Sequence, residues 1–296
     1  MTSAELDRKN KSHDWKIVYP EAVIPDDLPN MRTKGEYKDG FAKGATVHFT
    51  AGWNNKTAES SMTSGLNNGY CYLTILADGT VVQNFDLARW GYHAGKSTWP
   101  GLGSGMSDKL IGIEVCCGGR LHKDGDVWKT WFNKVVPEHQ RRWVKKGDNV
   151  LHDGMYEKYT DAQEASLIKF LLWCAQVGKG TFNLDYVLGH DEIAPDRKND
   201  PGGSLSMTMP KFRNLLKEKF DPLFEAPVDK PIEKPVEEAT ENIPNEELFP
   251  KWNPLIYFNK MDNFFLNPTQ TRFDDLRDIV WPSAKKKILE LTKVKR

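Results

Sequence analysis

His190, Lys198 and Asp200 fall within one stretch, Gly189-His-Asp-Glu-Ile-Ala-Pro-Asp-Arg-Lys-Asn-Asp-Pro-Gly202, that is rich in proline, glycine and charge. Imidazole and carboxylate are metal-ligand types, and an ammonium beside them could hold a negative charge that develops during a reaction. Such a composition reads as an ordered loop, and loops on a rigid scaffold carry function more often than core segments do. His190 and Asp200 are ten residues apart, so they are no helical i,i+4 pair. Pro195 and the Asp200-Pro201-Gly202 turn would have to fold them together. Lys198, two residues before Asp200, would share its side of an extended segment. The loop alone fits a plainer reading equally well: a surface turn with an N-capping Asp and a solvated Lys. His48 adds a third candidate, at the C-terminal end of the apolar run Ala45-Thr-Val-His-Phe-Thr50. A lone histidine there is more often a satisfied core residue. Two histidines and one carboxylate, however, match a zinc site whose fourth position stays open, which implies catalysis.

The elements that must position these residues are legible from pattern. Residues 45–50 read as a strand ending at Gly52. Tyr70 to Phe85 alternates around Asp78-Gly79, a two-residue hairpin signal. The Gly-rich run Pro100-Gly-Leu-Gly-Ser-Gly105 precedes the strand Leu110–Val115, the wrong order for a dinucleotide fingerprint, which joins a strand to a helix. Thr160-Asp-Ala-Gln163 is a capping box opening a helix that Gly178 stops, with Ile168, Leu171, Leu172 and Ala175 on one face. Tyr186-Val-Leu188 is a short strand running into the loop, and Pro210 to Phe220 reads as a closing helix with proline in its first turn. Strands interleaved with helices predict an α/β fold, a mixed central β-sheet flanked by helices. Residues 118–157 read as polar and irregular, with Trp128, Trp131 and Trp143 scattered among charges.

Composition excludes several classes. The chain has 296 residues, 39% of them hydrophobic, enough for a core, and equal numbers of acids and bases, 41 each. Nothing in that balance points to nucleic acid or a membrane surface. No apolar run approaches the roughly 20 residues of a membrane span. The polar N-terminus lacks a signal-peptide core, so synthesis in the cytoplasm without a signal peptide is expected. Cys71, Cys116, Cys117 and Cys174 show no CxxC spacing and read as reduced, buried thiols.

At Ala226 the composition changes. Pro227-Val-Asp-Lys, Pro231-Ile-Glu-Lys and Pro235-Val-Glu-Glu form a degenerate four-residue repeat that continues as an acidic run to Glu247. Such a segment buries too little apolar surface to fold and stays extended. The expected organisation is a domain over residues 1–225 carrying an insertion at 118–157, a Pro/Glu-rich linker over 226–248, and a tethered appendage over 249–296. The appendage regains aromatic residues and ends in a short basic helix. Too small to hold a core alone, it is expected to dock on a protein partner, a membrane face or the main domain.

In family order, the segments VHFTAGW (47–53), GYCYLTILADGTVVQNF (69–85), GYHAG (91–95), IGIEV (111–115), YTDAQ (159–163) and GHDEIAPDRKNDPG (189–202) resemble the zinc-dependent N-acetylmuramoyl-L-alanine amidase type 2 family. That family includes phage lysozyme-type amidases, muropeptide-recycling amidases and the peptidoglycan-recognition proteins. The resemblance covers roughly residues 40–220. It implies that His48, His190 and Asp200 bind Zn²⁺, that Glu114 is the base activating water, and that Lys198 stabilises the oxyanion. It further implies that Tyr70 faces the metal site and that His93 contacts substrate from the groove; a hydrogen-bonding loop histidine is an equal reading of His93. Peptidoglycan or a muropeptide is the implied substrate, cut between N-acetylmuramic acid and L-alanine. The tail favours a monomeric phage endolysin or virion-associated lysin acting on the cell wall over a cytoplasmic recycling amidase. A non-catalytic peptidoglycan-binding role fits poorly, since such members typically lose a metal ligand and this chain keeps all three. The insertion is longer than compact relatives carry; its tryptophans fit either a substrate groove or a packed flap.

Overall fold

The computed structural model describes residues 14–25, 32–52, 65, 67–145 and 152–224. The chain divides into two units, Met1–Ala226 and Pro227–Arg296; the expected linker and appendage lie outside the described residues. Along the first unit run the strands β1 (Gly35–Glu36), β2 (Gly44–Phe49), β3 (Leu73–Ile75), β4 (Val81–Val82), β5 (Arg89–Trp90), β6 (Thr98–Trp99), β7 (Gly103–Ser104) and β8 (Leu110–Val115). Then come β9 (Arg120–Asp124), β10 (Val127–Lys129), β11 (Arg141–Val144) and β12 (Gly154–Glu157). Helix α1 (Asp161–Val177), β13 (Val187–Gly189), α2 (His190–Ile193) and α3 (Met209–Phe224) complete it.

Five strands form the central sheet in the order β13-β2-β8-β3-β4. The first four are parallel and β4 is antiparallel to β3, so the sheet is mixed. Its two faces follow from strand alternation. Ala45, Val47, Leu73, Ile75, Ile111, Ile113 and Val115 share one core with Leu167, Phe170, Leu171 and Cys174 of α1 and Phe212 and Leu216 of α3. On the opposite face Leu110 and Leu188 pack with Ala94, Met106 and Ile193. A sheet covered on both sides reads as near-continuous apolar runs, which is how β2 and β8 read. A histidine or glutamate inside such a run is therefore conspicuous.

Helix α1 begins with the predicted capping box: Gln163 N donates to Thr160 Oγ1 at 3.1 Å, and Thr160 N donates to Gln163 Oε1 at 3.0 Å. The buried face differs from the expected one. Leu167, Phe170, Leu171 and Cys174 are fully buried, while Ile168 and Leu172 lie at the margin. The apolar residues of α1 extend around more than one face, so the sequence permits either stripe and the sheet selects the one it can cover. The β3–β4 turn also runs longer than two residues: Leu76 N donates to Thr80 O and Gly79 N to Leu76 O, with Gly79 at φ 87°.

The larger correction concerns residues 118–157. They form a second, four-stranded antiparallel sheet, β10-β9-β12-β11. In β9 Leu121 alone is buried, among four exposed residues. The period-two signal is lost when one face meets solvent and the other is carried by Tyr156 and arginine stems. Tyr156 is fully buried and lies close against Gly202 and Gly203. Arg142 donates to Leu205 O at 2.5 Å, which ties this sheet to the segment following Asp200. The four cysteines are free and buried, and burial pushes the thiols of Cys71, Cys116 and Cys117 up to about 12. Among the described residues no helix is long and apolar enough to cross a membrane.

Candidate metal centre

Strand β2 delivers His48 to the sheet face away from α1. Its parallel neighbour in register is Glu114 of β8, and Glu114 is in turn in register with Thr74 of β3. On the other side Val47 pairs with Gly189, so the chain leaving β13 places His190 beside His48. The loop from His190 closes on itself: Asp191 N donates to Asp200 O at 2.8 Å, and Lys198 N to Ala194 O at 3.0 Å. Four of its residues form α2, which the sequence did not announce. Glu192 accepts from Gly189 N and from both terminal nitrogens of Arg213, at 2.7 and 3.0 Å, fastening α2 to α3. Tyr159 donates its hydroxyl to His48 O at 2.9 Å, holding the end of β2 from the opposite side.

The result is a tight cluster. His48 Nδ1 lies 2.8 Å from His190 Nδ1 and 3.0 Å from Asp200 Oδ2, and His190 Nδ1 lies 2.9 Å from Asp200 Oδ2. All three residues are buried. The outer nitrogens of the rings have partners of their own. His93 Nε2 is 2.9 Å from Leu110 O and His190 Nε2 is 3.1 Å from Ala94 O. Carbonyl oxygens accept only, so His93 Nε2 carries a proton; at His190 the Arg197 guanidinium also approaches Nε2, at 3.4 Å, and donates to Ala94 O. Burial, aided by the neighbouring His48, holds the His93 imidazole well below its ordinary range. Its Nδ1 is then a lone pair, and His48 Nε2 donates to it at 3.2 Å. His48 Nδ1 is consequently bare and faces His190 Nδ1.

A cation placed among these three atoms would be held by all of them. Burial lowers the pKa of His48 to about 4, so its ring is neutral at neutral pH. The donor set fits a metal ion: two imidazoles, each oriented from behind, and one carboxylate.

Gly112 explains how His93 reaches this position. A Cβ at Gly112 would stand 2.7 Å from His93 Cγ, so the bare backbone of β8 lets the imidazole lie flat against the sheet. The two nitrogens of His93 are thus occupied by His48 and Leu110, which leaves the ring behind the ligands. Glu114 is half-buried, with Oε2 shut from solvent and without a hydrogen-bond partner. Burial first, and then the negative charge of Asp200, raise its pKa to about 8 against a smaller opposing effect of Lys198. Lys198, half-buried, lowers His48 and Glu114 alike, so its charge is felt at the cluster. Tyr70 stands apart: it is 48% exposed, its ring meets Tyr92 edge-on, and it makes no hydrogen bond to the three ligands.

The family model described as N-acetylmuramoyl-L-alanine amidase matches residues 38–203, more than half of the chain. The chain belongs to this family. His48, Tyr70, His93, Glu114, His190, Lys198 and Asp200 all lie within the amidase match. Solved structures similar to this amidase include a selenomethionine AmpD derivative, with TM-score 0.44, 20% identity, and coverage of 67% of this chain and 96% of that one. AmpDh3 from Pseudomonas aeruginosa, in complex with anhydromuramic pentapeptide, has TM-score 0.42 and 19% identity, covering 65% of this chain and 66% of that one. AmiD from E. coli, an N-acetylmuramyl-L-alanine amidase in complex with anhydro-N-acetylmuramic acid-L-Ala-D-γ-Glu-L-Lys, has TM-score 0.40 and 20% identity, covering 59% and 57%. A search of the curated proteins returns no match.

Sequence reasoning did not single out Gly112, Tyr159 or Arg213. Gly112 had a signal, a glycine interrupting an apolar strand, which marks a close approach. Tyr159 and Arg213 had none, because their partners are a strand backbone and a helix far away along the chain.

Proposed function

We propose that this amidase hydrolyses the amide bond between N-acetylmuramic acid and L-alanine of peptidoglycan, using Zn²⁺ held by His48, His190 and Asp200. The observation that carries this reading is the convergence of His48 Nδ1, His190 Nδ1 and Asp200 Oδ2 within 3.0 Å, inside the segment matched by the amidase family. When bound, zinc supplies Lewis acidity toward the scissile carbonyl and acidifies water. His93 and Ala94 O contact the outer nitrogens of the two imidazoles and leave Nδ1 of each facing inward. Glu114, one strand from His48 in register, takes the proton of the attacking water and delivers it to the departing nitrogen of L-alanine. Its poor solvation favours proton acceptance, and a nearby cation brings its pKa down from about 8 toward neutrality. The ammonium of Lys198 offsets the negative charge that grows on the carbonyl oxygen. Tyr70 stands at the exposed rim, where a substrate could meet it.

We read the biological setting as lysis of the polymeric wall, by a phage endolysin or a virion-associated lysin. The Pro/Glu-rich segment followed by an aromatic and basic end supports this, as an attachment to a protein partner or membrane face suits a lysin better than a recycling enzyme. The test is release of L-alanine-terminated peptides from purified sacculi, compared with cleavage of soluble anhydro-muropeptides. Activity lost to a chelator and restored by zinc is the expected result. Turnover unchanged in Asp200→Ala would sink the metal assignment.

A further inference from the structure

Trp131 is 68% exposed, yet it is not loosely held. Its indole Nε1 donates to Ala51 O at 2.5 Å, three residues past His48 on the chain that leaves β2 at the metal centre. The acceptor is itself immobilised. Thr50 N donates to Val115 O, Gly52 N donates to Thr50 Oγ1, and the Thr50 hydroxyl also bridges to Cys117. Ala51 has φ 50°, an unusual conformation for a residue with a Cβ. The turn that presents Trp131 is equally fixed. Thr130 is fully buried and its backbone exchanges bonds with Asn133 and Lys134. Lys134 N also donates to Thr130 Oγ1 at 3.0 Å, and Phe132 packs against the indole nearly perpendicularly, at 5.5 Å.

An exposed tryptophan whose single polar atom is already satisfied offers a ligand nothing but its apolar surface. Held rigidly, it loses little conformational freedom on binding. Resting on the proposed amidase function, we propose that Trp131 is a saccharide-stacking residue that receives a pyranose ring of the glycan strand next to the muramoyl unit being cut. A pyranose presents a face of C–H groups that matches an indole plane, and the fixed link to Ala51 ties this plane to the segment that leaves His48. The insertion sheet is then part of the substrate site and selects polymeric glycan over single-sugar fragments.

The test uses the full chain and compares kcat/KM on purified sacculi with kcat/KM on a one-sugar muramoyl peptide for wild type, Trp131→Ala and Trp131→Phe. Covering about half of an indole is worth about tenfold or more in affinity. Trp131→Ala should therefore lower kcat/KM on sacculi about tenfold and leave the one-sugar substrate within about twofold. Trp131→Phe keeps a ring but lacks the N–H, and should retain most activity on sacculi. An equal fall on both substrates, or a fall in Trp131→Phe matching that of Trp131→Ala, would show that the bond to Ala51 supports the loop and would overturn the proposal. Titration with the N-acetylglucosamine tetramer provides a second readout, a fluorescence change in wild type that is absent in Trp131→Phe. An unchanged titration would also overturn it. If wild type cleaves neither substrate, the amidase reading fails, and the tetramer titration still decides the role of Trp131.

Discussion

Replacing Glu114 by glutamine in the metal-free protein should change how stability depends on pH. In the fold, burial and the charge of Asp200 raise the Glu114 carboxyl from its ordinary 4.5 to about 8; in the unfolded chain it returns to 4.5. Between those two values the folded protein holds a proton that the unfolded chain has released, so stability falls as pH rises through the window. Below pH 4.5 the group contributes no penalty, and above about 8 the penalty is complete. At 1.36 kcal/mol per pH unit, the interval gives an upper bound of about 5 kcal/mol. The side chain keeps a partial opening to solvent, which brings the expected figure to about 2–5 kcal/mol. Glutamine matches the protonated acid in shape and does not titrate. Urea unfolding in the presence of a chelator, for wild type and Glu114→Gln between pH 4.5 and 9, reads the effect directly. The variant should gain steadily on wild type up to about pH 8 and then run parallel. A constant offset from the buried amide does not disturb this, since the slope is the readout, and groups common to both proteins cancel. Saturating zinc should flatten the difference, because a cation beside Glu114 favours its charged form. A difference that stays flat across the window in the metal-free protein would refute the argument. It would mean that Glu114 is solvated as an ordinary carboxylate and has no claim to be the base.

Three further outcomes follow from the same geometry. His93→Ala should weaken zinc binding about 10- to 100-fold in chelator competition, and Gly112→Ala should do the same by driving a Cβ to within 2.7 Å of the His93 ring; unchanged affinity in both would remove His93 from the support of His48. Lys198→Ala should lower kcat about 10²- to 10³-fold while zinc content, measured by atomic absorption, stays at wild-type level; a loss of metal instead would reassign the lysine to structure. Tyr159→Phe removes the hydroxyl that donates to His48 O, at a cost of about 0.5–1.5 kcal/mol. Thermal unfolding should show that loss, and an unshifted midpoint would mean that water replaces the hydroxyl.

Much of this site is legible along the chain because its ligands interrupt strong local patterns. His48 and Glu114 stand out as polar residues in strands otherwise apolar on both faces, and the loop ending at Asp200 stands out by composition. The capping box at Thr160, the strands at 45–50 and 110–115, and the hydrophobic alternation of the β3–β4 hairpin are local as well, fixed by hydrogen bonds and burial within a few residues. The second sheet over residues 118–157 is not legible, because each of its strands shows too little apolar alternation alone and becomes regular only when its neighbours pair with it.

Residue types and spacing thus determined which groups could bind a metal and in which elements they lie. Only the tertiary structure decided how they meet. The parallel register of β13, β2 and β8 brings residues far apart in the chain to one edge of the sheet, and register depends on which strands pair. The orientations of His48 and His190 depend on His93, held by the carbonyl of Leu110, and on the carbonyl of Ala94, contacts that no local sequence pattern encodes. The same holds for Trp131: the sequence marks it as an aromatic in a polar stretch, and only the bond to Ala51 O ties it to the segment that follows His48.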